Sequence, residues 1–113
     1  MGKRDALIGI YANDLRERCG IEPEMELLRK VTIGTGPAIY DPQAAVVDAA
    51  DPADLDLVRR NFLVRKLGLR DGPDLADAVE AALDTYGRDA PRKYRAVLHY
   101  LLTKQLGRES VFL

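Results

Sequence analysis

His99 is the only histidine of the sequence, and an imidazole is the side chain whose ordinary titration lies closest to neutrality, so it is the first candidate for acid–base work. Such work needs a carboxylate or nucleophile beside it, and local spacing supplies none. On a helix spanning about residues 90–106, His99 falls opposite the stripe Tyr94, Leu98, Leu101, which predicts a solvent-facing position. Cys19 is the only thiol, and it sits on the apolar side of the first helical pattern, where a cysteine behaves as a small hydrophobe. No catalytic residue is assigned on these grounds.

Metal and cofactor chemistry have no better footing. The chain has no CxxC, no HExxH and no calcium loop of the EF-hand type. Asp77, Glu80 and Asp84 form an acidic stripe at helical spacing, which reads as a solvated face. Gly34-Thr35-Gly36-Pro37 lacks the lysine and hydroxyl of a phosphate loop and the third glycine of a dinucleotide fingerprint. No metal and no cofactor is expected. The same irregular stretch is rich in residues that loops use for recognition, and Thr35, Gly36, Ile39 and Tyr40 form a candidate recognition loop.

The most suggestive surface lies on the last long helix. Lys93, Tyr100 and Lys104 align along one flank at helical spacing, with Arg92, His99 and Thr103 along the outer face. A basic helix with an aromatic between lysines suits phosphates or an acidic partner patch. Arg92, Lys93, His99, Tyr100 and Lys104 are therefore the candidate partner surface. No helix-turn-helix, RNA-recognition or zinc-finger pattern makes that partner a nucleic acid in particular.

The elements that must position these groups are punctuated by glycine and proline. Helices are predicted at about 4–19, 23–32, 52–67, 73–86 and 90–106. Gly20, Gly34, Gly68, Gly87 and Gly107 are the stops, and Pro23, Pro52 and Pro73 lie in first turns. Asp51 is the clearest cap. A short helical turn is expected after Asp41-Pro42. The helix over 52–67 is apolar on two sides, through Leu55, Val58 and Phe62 and through Leu57 and Val64, which predicts a central position and a deeply buried Phe62. Period-two alternation is absent, so no sheet is expected. The fold class is all-α: a single domain over 1–113, a compact bundle of five main helices and one or two short ones.

With 113 residues, 47% of them apolar and 31% charged, the chain can fold without a metal or disulfide. A formal net charge of −1 gives no global field toward nucleic acid or membrane. The charges are nonetheless segregated. Residues 41–56 carry five acids, 57–70 five bases and 71–86 five acids, while 87–108 carry six bases against one acid. Such blocks let oppositely charged neighbours pair. One cysteine, acids in the opening segment and apolar runs too short to cross a bilayer place the protein in the cytoplasm and away from membranes.

Three stretches together carry a resemblance: Lys30-Val31-Thr32-Ile33-Gly34 with Gly36-Pro37 and Ile39-Tyr40; Asn61-Phe62-Leu63 with Lys66-Leu67-Gly68-Leu69; and Lys93-Tyr94-Arg95-Ala96-Val97 with Tyr100-Leu101-Leu102-Thr103-Lys104. With Lys3-Arg4-Asp5, they make the chain similar to a family of short bacterial proteins catalogued as a domain of unknown function. The resemblance implies a small helical, stand-alone bacterial protein and brings no activity or site residues. The leading functional expectation is a non-enzymatic interaction module that binds another protein or itself. The alternative is a nucleic-acid or anionic-ligand binder using the basic helix, and a small enzyme using His99 near the glycine loop ranks third.

Overall fold

In a computed structural model the protein is described over residues 2–113. Five helices form: α1 (Lys3–Cys19), α2 (Met25–Thr35), α3 (Pro52–Leu57), α4 (Pro73–Tyr86) and α5 (Arg95–Gln105). Short 3-10 turns cover Gly36–Tyr40 and Glu109–Phe112, and there is no β-strand among the described residues. The all-α expectation holds.

Local chemistry explains most of the boundaries. Gly20 ends α1 in the left-handed region at φ 66° and offers its N–H to Leu15 O, a C-cap that costs a glycine little. The Asp51 carboxylate accepts from Ala53 N at 3.0 Å, and Pro52 follows at the first helical position. α2 runs through Gly34, where a stop was expected, and ends at Gly36, whose φ is +82°. Gly34 has a different duty. A Cβ there would sit 3.3 Å from Phe112 Cε1 and 3.5 Å from Lys66 Cε, so its bare backbone lets the C-terminal turn and Lys66 close over α2.

Two elements depart from the sequence pattern. α3 lasts only six residues before the helix widens into a π-helix over Val58–Lys66. Its exit is marked by Leu67 N donating to Phe62 O at 2.8 Å, an i to i+5 bond. The segment expected to open the last helix at 90 is extended instead, and α5 starts at Arg95. Residues 93–95 pair with 45–47: Val47 N donates to Lys93 O and Arg95 N to Ala45 O, both at 2.7 Å.

The core lies around α5 rather than around 52–67. Every residue from Ala96 to Thr103 is buried, on all sides of the helix, whereas no residue of α3 is fully buried. α5 packs against α1, α2 and α4, with Phe62 of the π-helix stacked on its His99. Phe62 is itself buried, as its position between apolar neighbours predicts.

Candidate functional site

Enclosure of α5 overturns the partner surface read from its sequence. Tyr100 is 1% exposed, and its hydroxyl accepts from Glu24 N at 3.0 Å, satisfying an otherwise orphan donor at the N-terminus of α2. His99 is 7% exposed and Thr103 is fully buried. The misreading has a physical cause: a polar side chain signals a wet face only when the fold offers it no partner. Here Thr103 Oγ1 donates to His99 O at 2.7 Å, and His99 Nδ1 lies 3.1 Å from Thr35 Oγ1.

What remains outside is two lysines and an arginine, and the lysines are engaged. Lys93 Nζ donates to Arg88 O at 3.0 Å and to Ala90 O at 2.9 Å, closing the turn after α4. Lys104 Nζ bridges Glu24 at 2.5 Å and Glu109 at 3.4 Å, which holds its ammonium above the ordinary lysine range. Arg92 is exposed. Two of the three acids of the α4 stripe are engaged in the same way: Arg88 pairs with Glu80 at 2.9 Å and with Asp84 at 2.7 Å. No cluster of metal-ligating side chains occurs among the described residues. Cys19 is half-buried, and burial pushes its thiol up to about 11, so it is no activated nucleophile.

The inward face of α5 instead joins the two groups that the sequence kept apart. His99, from the helix, and Thr35, from the candidate recognition loop, meet at the back of a pocket of about 350 Å³. Gly34, Ala38, Ala44, Leu57, Val58 and Phe62 supply its apolar surface, and Thr35, Asn61, Lys66, Arg95 and His99 its polar groups. The His99 ring stacks on Phe62 with centroids 3.8 Å apart and planes 3° from parallel. Burial, with a smaller push from the Arg95 charge, lowers the His99 pKa to about 3, so the ring is neutral at physiological pH.

The proton arrangement follows from Thr35, which has one hydroxyl hydrogen. Its Oγ1 is 3.0 Å from Val31 O. Donating there, it accepts from His99 Nδ1–H and leaves Nε2 as a free lone pair. Nε2 has no hydrogen-bond partner among the described residues.

Arg95 is the most firmly held charge of the pocket. Nε donates to Ala44 O and Nη2 to Val46 O, each at 2.9 Å, and Nη2 pairs with Asp54 at 3.0 Å. Nη1 makes no hydrogen bond among the described residues. The 41–47 segment, read from the sequence only as a short turn, thus serves as the scaffold that aims this guanidinium.

Ile39 of the recognition loop is buried, Thr35 and Gly36 are half-buried, and Tyr40 is exposed. Sequence reasoning missed Asn61, Lys66, Phe62 and Arg95 as site residues. Only the π-helix brings the first three to face α2 and α5, and periodicity carries no signal for that.

A family model matches residues 10–110, which contain every residue of the pocket. The chain belongs to the family described as protein of unknown function (DUF2853). The match takes in all of α2 to α5 and most of α1. No curated protein matches the chain.

Proposed function

We propose that this DUF2853 protein is a non-enzymatic interaction module that binds a protein partner through the face around Gly34–Tyr40. The observation that carries the reading is that four of the seven exposed large apolar side chains among the described residues, Ile33, Tyr40, Leu57 and Val111, lie around this segment, the others being Ile10, Met25 and Leu113. Ile33 and Tyr40, 50% and 42% exposed, line one shallow depression with Pro37 and Ile39. Leu57, 42% exposed, stands at the neighbouring His99 pocket, and Val111 belongs to the turn whose Phe112 closes on Gly34. Apolar side chains gathered around one segment are what protein partners cover. A non-catalytic role is supported by the chemistry of the pocket: its imidazole is neutral down to low pH, and no carboxylate or thiol lines it. We place the module in the bacterial cytoplasm, a reading supported by the lone cysteine and by the resemblance to short bacterial proteins. No helix is long and apolar enough to cross a membrane among the described residues.

The nucleic-acid alternative loses support, because the lysines it needs are held by carbonyls and carboxylates and its aromatic is buried. The test is affinity capture of the natural partner by the wild type and by an Ile33→Asp/Tyr40→Ala variant, with sedimentation velocity for self-association. The variant should keep its helical spectrum and lose the partner or the self-associated species. Unchanged capture and association by the variant would contradict the reading. So would salt-sensitive retention of RNA or DNA lost on Arg92→Ala/Lys104→Ala.

A further inference from the structure

The His99 pocket has the features of a built ligand site, and they point to one ligand chemistry. Its two charged lining groups, Lys66 and Arg95, are both cationic, and no acid among the described residues lines it. Arg95 is immobilised by Ala44, Val46 and Asp54 while Nη1 stays unbonded, a guanidinium with one edge in reserve. Lys66 makes no ion pair among the described residues. Its Nζ lies 5.3 Å from the centre of the Phe112 ring and beside Gly34, at the border of the pocket. Asn61 adds an amide with no partner among the described residues. Facing these are Leu57, Val58, Phe62, Ala38 and Ala44.

One anionic end and one apolar end fit this lining. Inorganic phosphate would leave the apolar wall uncovered, and a neutral ligand would leave Lys66 without a counter-charge and Arg95 Nη1 without an anionic acceptor. The free volume of about 350 Å³ is at the small end for organic ligands. We propose that the pocket binds a carboxylate carried on a short apolar body, with Arg95 Nη1 and Lys66 Nζ on the anion, Asn61 donating beside them, and the Phe62–His99 stack under the apolar part. The proposal goes beyond the protein-docking face and stands without it. The carboxylate can come from a free short-chain acid or from the C-terminus of an apolar peptide. The recognition chemistry is the same for both.

The experiment is a titration of the full chain followed by amide and side-chain NMR. One arm uses butyrate, hexanoate and benzoate with the matching neutral amides and inorganic phosphate as controls. The other uses a short peptide ending in leucine, with a free or an amidated C-terminus. Saturable shifts at Asn61, Phe62 and His99 should appear with carboxylates in at least one arm, and the arm that responds identifies the source. The amides should bind at least tenfold more weakly. Lys66→Ala and Asn61→Ala change exposed side chains and leave the fold intact, and each should weaken carboxylate binding several-fold. Lys104→Ala, outside the pocket, should leave it unchanged. The proposal is overturned by the absence of saturable shifts in both arms, by equal binding of acids and amides, by phosphate binding more tightly than the acids, or by indifference of binding to Lys66 and Asn61.

Discussion

His99 couples the pocket to the stability of the molecule. An unfolded chain takes a proton on this imidazole near its ordinary value of 6.5, whereas the folded chain does so only at about 3. Between those values the unfolded state binds more protons, so stability rises with pH and acidification weakens the fold, by up to ~1.4 kcal/mol per pH unit for one site. Asp5 and Asp71, held low by Arg29 and Arg59, lose their contributions only as pH falls through the carboxylate range. Denaturant unfolding at pH 6.5 and pH 5 therefore isolates the histidine. The wild type should lose about 1.6 kcal/mol and His99→Gln much less; equal losses would show that the ring charges freely in the folded state. Phe62, which closes the other side of the imidazole, should cost about 3–5 kcal/mol on truncation to alanine. A thermal midpoint that hardly moves in Phe62→Ala would place the core elsewhere. Tyr11 offers the opposite sign. Its ring is fully buried against Tyr94 while Oη finds no partner, and desolvation pushes the phenol up to about 12. Removing the hydroxyl in Tyr11→Phe should leave stability unchanged or raise it by about 1 kcal/mol, and a clear loss in urea unfolding would reveal a partner for that group.

Among the elements, α1 and α4 were legible in the sequence because one-sided periodicity and end signals agree. α4 spans Pro73–Tyr86 as the pattern between Pro73 and Gly87 predicts. The Asp51 cap and the buried Phe62 were legible for the same reason. α5 was not. Its start is set by pairing between residues 45–47 and 93–95, and its polar residues are satisfied by partners 64 and 76 positions away, through Thr35 and Glu24. A helix enclosed on all sides has no wet face to read. The site suffered most from this, since Thr35 and His99 were each picked out but assigned to different surfaces. The Arg95–Asp54 pair, 17% and 15% exposed, ties α5 to α3 through the extended segment. In a double-mutant cycle of Arg95→Met and Asp54→Asn, urea unfolding should give a coupling of about 1–2 kcal/mol, between the values of exposed and fully buried pairs. A coupling near zero would remove Arg95 from its role as a fixed guanidinium.

For the whole molecule, the alternating charge blocks are a device for closing the fold rather than for presenting a field. Arg59 joins Asp56 and Asp71, Arg88 joins Glu80 and Asp84, Arg95 joins Asp54, and Lys104 joins Glu24 and Glu109. The basic helix thus turns its chemistry inward. The lone histidine makes this inversion directly measurable, because its ring nitrogens are the only imidazole signals of the chain. A long-range proton–nitrogen correlation spectrum, recorded from pH 7 to pH 3.5 with and without hexanoate, tests it. One neutral tautomer protonated at Nδ1, no titration above about pH 4, and ring shifts on adding hexanoate are expected. Rapidly averaging tautomers that titrate near 6.5 and ignore hexanoate would contradict the inversion.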